Sequence, residues 1–121
     1  MYKNTSVQEL RTGDFKRHKK QNIIYHRNNN GKHEGIIKFY TSWCGHCKNF
    51  HGSMLNLSKQ GIPMKALDCD QHGHLSQKLG VEGYPTLGFV NQKGQIFKYE
   101  GSRREGDITK AYREFQEKNK D

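Results

Sequence analysis

The stretch "IIKFYTSWCGHCKNF", residues Ile36 to Phe50, contains the transition on which the reading of the whole chain turns. Ile36 to Tyr40 is a short apolar run rich in β-formers, the pattern of a central strand buried on both faces. Cys44 and Cys47 follow at once, and Phe50, Met54 and Leu57 then fall at helical spacing. Gly61 ends that helix and Pro63 prevents its continuation. The two cysteines therefore sit between a buried strand and the start of a helix.

Working outward, "MKAL" (Met64 to Leu67) predicts the next strand, and a short helix through Leu75 and Leu79 stops at Gly80. "TLGFV" and "QIFKY" predict two strands joined by the turn "NQKG". Ile108, Ala111, Tyr112 and Phe115 form one apolar stripe of a last helix, with Asp107 as its expected N-cap. From Ile36 the order is βαβαββα. On the N-terminal side, "VQEL" (Val7 to Leu10) predicts a first strand and Asp14 a cap for a helix from Phe15. "NIIYH" and the loop-like "RNNNGKHEG" complete that part. Residues 1–35 are thus read as strand, helix and loop of the same domain as residues 36–119.

Length and composition narrow the function. A chain of 121 residues is one domain, long enough to bury a core of sheet and helices. Six tyrosines, six phenylalanines and one tryptophan argue against wholesale disorder despite 27% charged residues. Three cysteines cannot build a disulfide framework. No segment approaches the length of a membrane span, so no membrane partner is expected. The net charge of +9 is partly carried by "KRHKK", Lys16 to Lys20. No aromatic interleaves there, which favours a solvated face over a nucleic-acid site.

The cysteine pair admits three readings. Cys44, Cys47, Cys69 and His72 make C-x2-C and C-x2-H pairs of zinc-ligand type, with His74 as a substitute for His72. Against this, a free cysteine such as Cys69 fills the end of a strand well. The chain also has seven histidines, so a C-x2-H pair arises readily by chance. A purely structural disulfide would close too short a loop to constrain the unfolded chain strongly. Thiol–disulfide chemistry fits the context best. The nucleophile must be a thiolate, and Cys44 stands where unpaired N–H groups and the helix dipole favour one. Cys47, one turn on, is placed to close the ring. Gly45 permits the turn, and a protonated His46 would add positive charge beside the Cys44 sulfur.

At "FYTSWCGHCKNF" the chain resembles the thioredoxin superfamily, in particular the catalytic domains of protein disulfide isomerases, which read FYAPWCGHC. "GVEGYPT" (Gly80 to Thr86) resembles that family's GYPT segment, and "YEGSR" (Tyr99 to Arg103) its Y-x-G-x-R. The resemblance implies an α/β thioredoxin-like fold, a central mixed sheet flanked by helices. It implies Cys44 as the attacking and Cys47 as the resolving cysteine, with Trp43 shaping the substrate groove. Tyr84, a cis Pro85 and Thr86 would present main chain to the substrate, and Arg103 would move toward the site. Two departures stand out. Thr41–Ser42 replaces Ala-Pro, and Lys38 occupies the place of a buried Asp or Glu beneath the second cysteine. The lysine that often pairs with that acid would align with Ala66. A lysine inside "IIKFY" must snorkel to water, pair with an acid such as Glu82 or Asp68, or give up its proton.

The expected function is therefore disulfide exchange with protein substrates, of the disulfide isomerase type, without a cofactor. Glutathione or a thiol reductase is the expected electron partner, and a monomer the expected state. A general thioredoxin-type reductase, a zinc-stabilised module and a basic adaptor are the rivals. Without a visible signal or retention tail, a cytoplasmic location is favoured. The particle of a large DNA virus, or the endoplasmic reticulum lumen after signal removal, are the alternatives.

Overall fold

The computed structural model describes residues 7–18, 22–25 and 33–119. A short strand β1 (Gln8–Glu9) is followed by a 3-10 turn (Thr12–Asp14) and a two-stranded antiparallel sheet, β2 (Phe15–His18) with β3 (Asn22–Tyr25). The helix expected from Phe15 is thus a strand. Asp14 caps no helix; its carboxylate accepts the Arg11 N–H at 2.8 Å and closes the preceding turn. Most of "RNNNGKHEG" and the end of "KRHKK" lie outside the described residues.

The rest follows the predicted order: β4 (Gly35–Tyr40), α1 (Gly45–Asn49), α2 (His51–Lys59), β5 (Met64–Asp68), α3 (Gly73–Lys78), β6 (Thr86–Val90), β7 (Ile96–Tyr99) and α4 (Glu105–Lys118). Five strands form one mixed sheet in the order β1-β5-β4-β6-β7. β4 runs parallel to β5 and antiparallel to β6, and all six of its residues are buried. This is the central strand that its apolar run predicted, and the fold is the expected mixed α/β one.

Alternation along the strands divides the core into two layers. Ile36 and Tyr40 face α1, α2 and α4, packing with Cys47, Met54, Leu57, Ile108 and Tyr112. Ile37 and Phe39 face the other way, onto Leu10, Leu67, Cys69 and Leu75. The helix after the cysteines is interrupted at Phe50 and resumes at His51. It ends as predicted, with Gly61 in the left-handed region at φ +90° and the Ile62 N–H on the Leu57 carbonyl. α4 begins at Glu105, two residues before the expected cap. Arg104 is its N-cap, held by its N–H on the Ser102 hydroxyl at 3.1 Å. Asp107 lies instead within the first turn, where its charge suits the helix dipole.

Candidate active site

The site grows from the C-terminal end of β4. The Tyr40 carbonyl accepts the Cys69 N–H at 2.7 Å, and the chain then turns through Thr41 to Trp43. Cys44 keeps extended main-chain angles as the N-cap of α1, and its sulfur accepts the Cys47 N–H at 3.1 Å. The two cysteines form a disulfide with their Cα atoms 5.2 Å apart. Cys47 is fully enclosed, whereas Cys44 keeps 6% of its surface. Cys44 is thus the less deeply buried of the pair.

Two motifs distant in sequence meet beside Cys44, through its neighbour Trp43. The Trp43 indole stands edge-on to the Tyr84 ring, with centroids 5.9 Å apart. Tyr84 precedes Pro85 through a cis peptide, and Thr86 opens β6 opposite Phe39 of β4. The Thr86 hydroxyl ties the segment down by donating to the Gly83 carbonyl at 2.6 Å. Trp43 remains 69% exposed, a large apolar surface beside the cysteines.

Asp70, which the sequence reading did not single out, holds the loop before Cys44. It accepts the Ser42 N–H at 3.1 Å, the Ser42 hydroxyl at 2.9 Å and the Trp43 indole N–H at 3.0 Å. The two bonds from Ser42 lead in lowering its pKa below the ordinary carboxylate value. The acids of "LDCD" were visible, but only the parallel pairing of β5 with β4 carries Asp70 to that loop. A groove of about 490 Å³ continues from Asp70 and Tyr84 along α3, past His74, Gln77 and Val81.

Lys38 is fully buried on the face of β4 that carries Tyr40. It does not snorkel. Its ammonium donates to the Cys47 carbonyl at 2.9 Å and lies 5.3 Å from the Tyr40 ring centroid and 5.9 Å from that of Phe50. Burial lowers its pKa from 10.5 to about 8. Ala66 is its register partner on β5. Gly45 and His46 are exposed on α1.

Arg103 is exposed in the loop between β7 and α4 and makes no hydrogen bond to the cysteines. The loop itself is fixed by Tyr99, whose hydroxyl donates to the Ser102 carbonyl and whose ring stacks on Phe89. A side chain at Gly101 would run into that tyrosine, which accounts for the glycine of "YEGSR".

The four ligands of the zinc reading are not brought together. Cys44 and Cys47 pack in the layer of α1, α2 and α4, and Cys69 in the layer of α3. His72 meets Thr12 through Nδ1 at 2.7 Å. Among the described residues no group of three His, Cys, Asp or Glu is placed to hold a metal. Burial raises the Cys69 pKa, so this third cysteine is held as a thiol.

This fold and cysteine pair are those of a known class. Residues 15–114 match the thioredoxin family model, and the chain belongs to that family. It is 36% identical over 85 residues to protein disulfide-isomerase A4 of Homo sapiens, covering 65% of this chain and 13% of that one. With a protein disulfide-isomerase of Arthroderma benhamiae it shares 30% over 110 residues, 88% of this chain and 19% of the relative. Among solved structures, the Trx4 domain of ERdj5 superposes with a TM-score of 0.67 at 24% identity, covering 92% of this chain and 96% of that domain. The chain thus matches only a minor part of the length of these curated relatives.

Proposed function

We propose that the protein exchanges disulfides with protein substrates in the manner of a protein disulfide isomerase. The observation that carries this reading is the Cys44–Cys47 disulfide at the start of α1, with Cys44 less deeply buried than Cys47 and the neighbouring Trp43 exposed. In the reducing direction the Cys44 thiolate attacks a substrate disulfide, forming a mixed disulfide and expelling one substrate thiolate. The Cys47 thiolate then attacks the Cys44 sulfur, which closes the pair and releases the second substrate thiolate. Two electrons pass to the substrate, and the reverse sequence delivers a disulfide. Isomerisation needs only the first attack and a return attack by a different substrate thiol.

Residues around the pair support a polypeptide substrate. Pro85 has no N–H, so the adjoining edge is open to an extended strand, and the groove beside Asp70 and Tyr84 prolongs that surface. His46 between the cysteines would, when protonated, favour the thiolate, hence the reduced form and an oxidising disulfide. The matched relatives' names support the isomerase subtype over a general reductase. Reactivation of a scrambled-disulfide protein, compared with insulin reduction, separates the two. The isomerase reading expects recovery in a glutathione buffer beyond what a general reductant gives. Insulin reduction with no gain in reactivation would leave only the reductase.

A further inference from the structure

Lys38 is a buried titratable group that the exchange cycle leaves unused, and its ammonium binds the main chain of the cysteine that must lose a proton. During resolution the Cys47 thiol first gives up its proton to water. Its thiolate then forms the bond to the Cys44 sulfur while the bond from Cys44 to the substrate breaks, and the departing substrate thiolate takes a proton from water. The demanding requirement is a thiolate at a position with no solvent exposure, because burial alone pushes a thiol's pKa up.

Among the described residues, Lys38 places a cation beside that cysteine. Cys47 shares its core layer with apolar side chains such as Phe50, Met54 and Leu57. The Lys38 ammonium reaches into this layer and binds the Cys47 main chain itself at 2.9 Å. Other polar and charged groups border Lys38. On β4 the Tyr40 hydroxyl donates to the Glu9 carboxylate of β1 at 2.6 Å. On α2, burial first, and then the Lys38 charge, lower the His51 pKa, which favours neutral His51 near the lysine. At neutral pH Lys38 itself remains mostly protonated.

We infer that Lys38 is a positioning residue for resolution: its buried ammonium, fixed on the Cys47 main chain, stabilises the Cys47 thiolate and favours the dithiol state of the pair. An acid at this place could accept the Cys47 proton, but its negative charge would oppose the thiolate. The inference rests on the exchange reading above, and its test separates from it.

Cys44→Ser with Cys69→Ala leaves Cys47 as the sole cysteine, whose thiolate is followed by ultraviolet absorbance against pH. Into this background go Lys38→Met, which removes charge and hydrogen bond, and Lys38→Gln, which can keep a donor for the Cys47 carbonyl. Both are expected to raise the titration midpoint by roughly 1–3 units. With the cysteine pair intact, both should slow release of a preformed mixed disulfide about threefold per unit, since lost thiolate is partly offset by greater nucleophilicity. The rate of first attack by Cys44 should change little. An unchanged midpoint in either variant overturns the inference, and in Lys38→Gln it would assign the effect to the hydrogen bond. If the wild-type protein exchanged with no protein disulfide while the midpoints still shifted, the functional reading would fall and the electrostatic one would stand.

Discussion

The Trp43 indole N–H donates to the Asp70 carboxylate at 3.0 Å, tying the loop before the cysteines to the end of β5. The same carboxylate takes both donors of Ser42, so one exposed acid sets the approach to Cys44. Its pKa is lowered by those bonds, and the sign of the consequence follows. The clamp's contribution is complete above the ordinary carboxylate value and is lost as pH falls through the lower folded value. Emission of Trp43, the one tryptophan, should therefore hold steady to below pH 3.8 and then change. Asp70→Asn should remove that acid transition and lower exchange activity severalfold. Identical acid profiles in the two proteins would show that Asp70 does not hold the loop.

The stability of the protein should carry the signature of Lys38. A lysine with a folded pKa of about 8, below its ordinary 10.5, binds fewer protons folded than unfolded across that interval. Stability should consequently rise with pH between these two values. Lys38→Met should flatten this rise and stabilise the protein by about 1–2 kcal/mol at neutral pH, because a buried charge is replaced by an apolar chain of similar length. Urea unfolding at a series of pH values reads both effects. A variant less stable than wild type at neutral pH would contradict this account.

Gly35 begins the central strand at φ +144°, and a side chain there would fall on the Pro63 carbonyl. That carbonyl accepts the Ile36 N–H at 2.9 Å, so it cannot withdraw without losing the first bond of the strand. Gly35→Ala should cost roughly 2–4 kcal/mol, combining main-chain strain with overpacking. Gly52→Ala, on a helix with open space around it, should be neutral or slightly stabilising. Thermal unfolding of the two variants tests the contrast, and equal midpoints would refute it.

Arg103 offers a test of the cycle's second half. It is exposed in the loop before α4. If it serves resolution, Arg103→Ala should lower multiple turnover by severalfold and leave single attack by Cys44 intact. Equal losses in both, measured by stopped flow, would remove it from the resolving step.

The parts of this molecule that the sequence disclosed are those governed by local chemistry. The apolar run of β4, the glycine and proline after α2, and the Asn91–Gly94 turn each announce themselves within a few residues. The turn's Asn91 side-chain oxygen accepts the N–H groups of Lys93 and Gln95, a bond pattern that asparagine supplies from its own position. Phe15 to His18 misled because Asp14 looked like a cap, whereas its carboxylate is spent on Arg11. α4 starts early because Ser102 and extended Arg104 organise the entry before Asp107 is reached. Asp70 was illegible for a different reason. Its partners lie 27 and 28 residues away, and nothing local to it signals them.

The central claim is that Cys44 attacks and Cys47 resolves, and trapping measures it most directly. Cys47→Ser, incubated with a disulfide-bonded protein such as insulin, should accumulate a covalent complex through Cys44 that a reducing agent dissolves, seen by intact-mass spectrometry. Cys44→Ser should form little or none, because the remaining cysteines, Cys47 and Cys69, are both buried. Wild type should pass through the complex without accumulating it. Equal trapping by the two variants, or none by Cys47→Ser, would contradict the account.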